Sequence, residues 1–142
     1  MPLPTHARDL MTTDLVTLEE RERLDHLGHA MRLLRFRHVP ITDGRKLIGL
    51  LSERDLLRVS ASELLPNKQA QDRFLSGLVC VGDVMTRDVV TVPPDAPLTE
   101  VAARMEQHKL GCVPVVEADG TLLGIITEAD FVKLARSWLP SA

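Results

Sequence analysis

Asp9–Leu18 reads DLMTTDLVTL, and Asp83–Val92 reads DVMTRDVVTV, the same phrase 74 residues further on. At that offset Leu24 matches Leu98, Met31 matches Met105, and Val39-Pro40 matches Val113-Pro114. One residue is then added, and at an offset of 75 Leu47 matches Leu122, Gly49 matches Gly124, Glu53 matches Glu128 and Asp55 matches Asp130. An ordered run of identities with one single-residue gap, placed in a turn, makes the chain a tandem duplication. Such a repeat sets the architecture before any local reading begins.

Both copies decode alike. A short extended segment (Leu15–Leu18, Val89–Val92) leads into a turn or cap, which in the second copy is Pro93-Pro94-Asp95-Ala96-Pro97. An amphipathic helix follows. Leu24, Leu27, Met31 and Leu34 form its stripe in the first copy, and Leu98, Val101, Ala102 and Met105 in the second. Two strands come next, Val39–Thr42 with Leu47–Leu51 and Cys112–Val116 with Leu122–Ile126. Asp43-Gly44 and Asp119-Gly120 stand in their turns as hairpin signals. A second helix begins after Ser52 and after Thr127, with Phe131, Leu134, Ala135 and Trp138 as the stripe in the second copy. The class is α+β, two strand-helix-strand-strand-helix repeats at residues 7–59 and 82–138. A polar linker, 60–81, joins them, with a short helix expected through Pro66–Phe74. A repeat this short is marginal alone, so the copies are expected to pack on each other.

Composition narrows the function. Lys and Arg number 17 against 20 Asp and Glu, for a net charge of −3 with both signs interspersed. No basic block offers an electrostatic grip on nucleic acid. Apolar runs such as Leu47–Leu51 fall far short of the ~20 residues that span a bilayer. The start lacks a basic stretch followed by an apolar core, so no secretion signal is expected. Cys80 and Cys112 lack metal-type spacing and suit a reducing cytoplasm.

The ordered set M-T-x-D-x-V-T, then an apolar-Pro-apolar triplet, then G-x-x-[ST]-x-x-D, occurring twice over residues 7–138, resembles a pair of cystathionine-beta-synthase (CBS) domains. The chain is similar to stand-alone CBS pairs and to the CBS half of acetoin-utilisation regulators, without room for a further ligand-binding domain. The resemblance implies a pseudo-twofold module with two clefts between the repeats. In the family such clefts often bind AMP, ADP, ATP or S-adenosylmethionine, and the modules often pair into homodimers that regulate an enzyme, channel or transporter. It implies no catalysis.

Ser52-Glu53-Arg54-Asp55 and Thr127-Glu128-Ala129-Asp130 sit where a strand becomes a helix. One reading is a helix cap, in which the hydroxyl accepts a first-turn N–H and the acid suits the dipole. The resemblance adds another, with Asp55 and Asp130 on a ribose and Ser52 and Thr127 on the phosphate side; the two are compatible. It also places Arg37 and His38, and in the second copy Gly111 and Cys112, on the phosphate side. Arg54 stands just before Asp55, where the second copy has Ala129. Two arginines beside Asp55 favour ATP or ADP there. Asp130 would take a weaker or less anionic adenosyl ligand, or none. The alternative for Arg37 and Arg54 is plain solvation. By the same resemblance Thr86 and Val90 face Asp55, while Thr12 and Val16 face Asp130. Val16 and Val90 would then offer backbone groups and apolar area to adenine, against the alternative of simple core packing.

Other constellations are weaker. Glu22, His26 and His29 share a helix face that could hold a metal, but the second copy does not repeat the histidines and a solvated face is the simpler reading. His108 and Cys112 lack a third group to orient them, so a buried thiol is expected at Cys112. Gly49 and Gly124 read as close-packing positions. No nucleophile elbow, P-loop or dinucleotide fingerprint is present. The expectation is an energy-sensing regulatory module, cytoplasmic and not an enzyme. Its rival is a ligand-free dimerisation or protein-interaction unit of the same fold.

Overall fold

The structure, a computed structural model, describes residues 2–24, 37–60 and 79–142. The Pro66–Phe74 helix, His26, His29 and the stripe residues Leu27, Met31 and Leu34 lie outside the described residues. The chain forms two compact units, Val16–Val89 and Met1–Leu15 with Val90–Ala142.

The unit Val16–Val89 is built on the hairpin β1 (His38–Asp43) and β2 (Lys46–Ser52), followed by α2 (Glu53–Ser60). Asp43 still pairs with Lys46, so the loop is Gly44-Arg45. Gly44 has φ +61°. A positive φ at the first central position alone is the type II′ pattern, which matches strand twist. Opposite Ile41 and Thr42 the register shifts and Ile48 is left as an extra residue, a bulge next to Gly49.

The other unit repeats this plan. It holds α1 (Ala7–Leu10), α3 (Leu98–His108), β3 (Cys112–Val116), β4 (Leu122–Thr127) and α4 (Glu128–Trp138). Its bulge falls between Val115 and Val116, the positions equivalent to Ile41 and Thr42. Leu98, Val101 and Met105 bury one stripe of α3, as their spacing predicts, while Ala102 is half-buried. On α4 the expected stripe holds only in part. Phe131 and Leu134 pack on the core, but Ala135 is exposed and Trp138 is 62% exposed.

The opening segments are not full strands. Leu18 makes one parallel bridge to β1 and Val92 one to β3. Leu18 donates its N–H to the carbonyl of Pro40 at 3.1 Å and accepts that of Thr42 at 2.9 Å. A parallel ladder would next carry the N–H of residue 40 to the carbonyl of residue 16, and proline has none. Pro114 stops the pairing of Val92 in the same way, after bonds of 3.1 and 2.9 Å. The proline of each triplet therefore sets the length of the sheet edge.

The other edge of each hairpin is taken by chain from the opposite repeat. Thr86 exchanges two 2.9 Å bonds with Leu50 of β2, and Thr12 exchanges bonds of 2.9 and 3.0 Å with Ile125 of β4. Around Thr12, the Leu98 N–H at the start of α3 goes to the Thr5 carbonyl and that of Ala7 to Ala96. Ala7, fully buried, joins the core of Val92, Val101, Val113, Val115 and Ile126. Around Thr86, the N–H of Leu24 goes to Val79, and Val79, Val81 and Met85 join the core of Leu24, Val39, Ile41 and Leu51. The end of the expected polar linker is thus core, and Val81–Asp83 forms a single 3₁₀ turn. No helix among the described residues is long and apolar enough to cross a membrane.

Candidate functional site

Two equivalent junctions gather the predicted residues. In each hairpin the first residue of one strand pairs with the last of the other, His38 with Ser52 and Cys112 with Thr127. The residue just before the hairpin then accepts the first N–H of the helix, Glu53 to the Arg37 carbonyl at 2.9 Å and Glu128 to the Gly111 carbonyl at 3.1 Å. These bonds fix Arg37, His38, Ser52, Arg54 and Asp55 at one junction, and Gly111, Cys112, Thr127, Ala129 and Asp130 at the other.

The aspartates are caps. Asp55 Oδ2 accepts the backbone N–H of Ser52 at 2.8 Å and its hydroxyl at 2.9 Å, and the Ser52 Oγ accepts the Asp55 N–H at 3.1 Å. This is the reciprocal capping box. Thr127 and Asp130 build the same box, with bonds to Asp130 Oδ2 of 2.9 Å from the Thr127 N–H and 3.3 Å from its hydroxyl. Asp55 is 6% exposed, and its Oδ1 makes no hydrogen bond among the described residues. No buried side-chain oxygen or nitrogen goes unpartnered there. Oδ1 is therefore the part of Asp55 that reaches solvent, held in place by the cap on Oδ2.

The junctions differ in charge. Arg37 and Arg54 are exposed, and their guanidinium groups make no ion pair or hydrogen bond among the described residues. Gly111 and Ala129 replace them at the other junction. His38 is half-buried. Cys112 is buried, and desolvation pushes its thiol up to about 12. It stays a neutral thiol at physiological pH, a core group and no nucleophile. A thiol-specific reagent at pH 8 is expected to modify half-buried Cys80 in the native protein and Cys112 only after unfolding. Rapid native reaction at both would contradict this burial. The sign of the pH effect follows: unfolding releases a thiol of ordinary pKa 9.0, so stability falls as pH rises from there towards 12.

Thr86 lies in the unit of Asp55, paired to Leu50 two residues before Ser52, and Thr12 lies in the unit of Asp130, paired to Ile125. Val16 belongs to the unit of Asp55 and Val90 to that of Asp130. Val16 is 49% exposed and Val90 half-buried, and neither carbonyl receives a backbone hydrogen bond among the described residues.

Two further caps lie outside the predicted site residues. Asp9 accepts the N–H groups of Thr5 and His6 at 3.1 and 3.0 Å, and Asp83 that of Cys80 at 3.0 Å. Those bonds, Thr5 first, hold the Asp9 carboxyl below its ordinary value. The repeated aspartate opening each motif phrase was the available signal. No group of metal-ligating side chains occurs among the described residues.

The family model described as "CBS domain" matches residues 7–62 and 81–137. The crystal structure of a protein described as an acetoin utilization protein, AcuB, from Vibrio cholerae superposes with a TM-score of 0.77 at 38% identity, over 96% of this chain and 93% of that one. The structure of CBSX2 in complex with AMP gives 0.80 at 26% identity, over 95% and 98%. Homoserine O-acetyltransferase of Methanohalobium evestigatum is 28% identical over 94% of this chain. The chain spans only 25% of that enzyme's length.

Proposed function

This chain belongs to the CBS domain family, and we propose that it is a regulatory module that binds an adenosyl compound at its two strand-to-helix junctions and works as a homodimer. One observation carries the reading: Asp55 is buried, capped through Oδ2 and open at Oδ1, beside two arginines with no partner among the described residues. A fixed carboxylate oxygen accepts ribose hydroxyls, and the Ser52 hydroxyl and helix N-terminus suit a phosphate. Arg37 and Arg54 make this the junction for ADP or ATP. Asp130 with Thr127, beside Gly111 and Cys112, suits a less anionic ligand such as S-adenosylmethionine. Thr86, Val90, Thr12 and Val16 are proposed to border the ligands. AMP bound to CBSX2 supports the ligand class. The module is proposed to regulate an enzyme or transporter in the cytoplasm, with no catalytic cofactor.

A ligand-free interaction module is the second reading. Its support is that each aspartate already serves as a helix cap, and that Gly111 and Ala129 stand at the Asp130 junction where Arg37 and Arg54 stand at the other.

Thermal melts with ATP, ADP, AMP and S-adenosylmethionine decide between them. Ligand at a hundred times its dissociation constant adds about 2.7 kcal/mol, a rise of several degrees. Asp55→Ala is expected to abolish the ATP shift and to cost about 1–3 kcal/mol by itself, because it orphans the Ser52 N–H. Asp55→Asn keeps an acceptor for the cap, so it is expected to retain most of the stability yet lose most of the shift. Asp130→Ala is expected to leave the ATP shift intact. Arg37→Ala and Arg54→Ala should weaken ATP more than AMP; equal losses would remove the polyphosphate assignment. No shift with any of the four at millimolar concentration favours the interaction module.

A further inference from the structure

Val90, proposed above to border a ligand, belongs to a length of chain with few bonds of its own. Thr86 pairs with β2 and Val92 with β3, but residues 87–91 between them make no backbone–backbone hydrogen bond among the described residues. One side chain takes hold there. Arg104 of α3 donates from Nη1 to the Thr91 carbonyl at 3.2 Å, a part-buried bond, while its Nη2 reaches Glu100 one turn back at 3.2 Å. Val92 turns both its N–H and its carbonyl to β3. In a strand the groups of the preceding residue face the other way, so Arg104 grips the chain on the side that β3 leaves open. The equivalent stretch of the first copy, 13–17, lies between the paired Thr12 and Leu18 and also lacks backbone–backbone bonds. No side chain among the described residues donates to it, and the first copy has His26 and Ala30 where the second has Glu100 and Arg104. Alanine has nothing to donate.

We propose that Arg104 is a positioning residue for the adenosyl ligand that Val90 borders: by fixing the Thr91 carbonyl it holds the adjoining Val90 backbone ready to meet that ligand. The inference rests on the ligand reading above and adds to it a residue outside both junctions. A guanidinium suits the task, because one arm of its fork is oriented on Glu100 while the other holds the carbonyl. The segment is then ordered on folding, so its entropy is not lost again on binding. The stretch 13–17 has no such hold, so the ligand beside Val16 meets a looser chain. The two ligand sites thus differ in a second respect, besides the presence of Arg37 and Arg54 at one junction.

Arg104→Met keeps the aliphatic stem and removes the donor, while Arg104→Lys keeps a donor for Thr91. The full chain and both variants are titrated calorimetrically with ATP, ADP, AMP and S-adenosylmethionine, and Asp55→Asn and Asp130→Asn separate the two junctions. NMR order parameters of the amides at 89–91 are read in parallel without ligand. In Arg104→Met they are expected to fall towards the ~0.6 of flexible chain. The dissociation constant is expected to rise about tenfold at one junction and to stay within about twofold at the other, a selectivity that general destabilisation would not give. The unliganded melt is expected to move by no more than about 2 °C, because Arg104 is 41% exposed and its pair with Glu100 is a surface one. Arg104→Lys is expected to remain within about threefold of the wild type. Unchanged order parameters in Arg104→Met, unchanged affinity at every junction that binds, an equal loss at both, or a lysine variant as weak as the methionine one overturns the role. A wild-type chain that binds none of the four overturns the ligand reading and this role with it. Binding by the wild type that Arg104→Met leaves untouched overturns the role alone.

Discussion

Residues 82–138, the whole second repeat, are expected to remain unfolded when produced alone. Cut at the repeat boundary, the sheet loses Thr12 from the edge of β4, the N–H of Leu98 loses the Thr5 carbonyl, and the core loses Ala7. Buried donors left without acceptors cost about 1–3 kcal/mol each, and a domain of ~60 residues has little stability to spare. Residues 90–142 followed through a flexible linker by 1–15, the compact unit in permuted order, restore every one of these partners. That permuted chain is expected to melt cooperatively, and circular dichroism on both chains checks the pair of statements. A cooperative melt from 82–138 alone would show that the exchanged segment is dispensable.

Gly124→Ala is expected to cost about 3 kcal/mol, lowering Tm by on the order of 10 °C. A Cβ on Gly124 would lie 2.8 Å from the Thr12 carbonyl oxygen and 2.8 Å from the Met11 sulfur. The oxygen is backbone, and it is the acceptor of the neighbouring Ile125 N–H, so it cannot retreat without opening the Thr12–Ile125 pair. Gly49→Ala is expected to cost less, about 1–2 kcal/mol. There the nearest atom, 2.5 Å away, is the Met85 sulfur on a flexible side chain, and the Thr86 oxygen lies at 3.1 Å. Gly44→Ala serves as the control. Nothing lies within 4 Å of its Cβ, and the cost is about 1 kcal/mol from a φ of +61°. Denaturant melts of the three variants rank them; a Gly124→Ala no worse than Gly44→Ala would contradict the close approach. The Met-Thr of each repeated phrase thus gains a physical meaning, a side chain and a carbonyl laid on a glycine of the other repeat.

Much of the candidate site could be read locally. Ser52 and Asp55 lie three residues apart at the end of an apolar strand, and that spacing alone permits the reciprocal cap. The hairpin of Cys112–Val116 with Leu122–Ile126 could be read from two short apolar runs and the Asp119-Gly120 turn between them. The contrast of Arg37 and Arg54 with Gly111 and Ala129 needed only the alignment of the repeats. Other features resisted. Trp138 continues the helical spacing of Phe131 and Leu134, yet it is 62% exposed, and periodicity carries no information on which turns of a helix have a neighbour. Val79 and Val81 looked like linker because their partners, Leu24, Val39 and Leu51, are remote in sequence.

The sequence by itself determined the duplication, the hairpins, the capped helix starts and which residue types stand at each junction, because these depend on interactions within a few residues or on identity between copies. Only the tertiary structure decided which hairpin edge each Met-Thr phrase occupies, and hence that the two repeats exchange their opening segments. Thr12 and Thr86 have the same local sequence logic and could pair with either β2 or β4. The choice rests on chain closure, buried contacts and backbone hydrogen bonds between residues far apart, which no short-range pattern encodes.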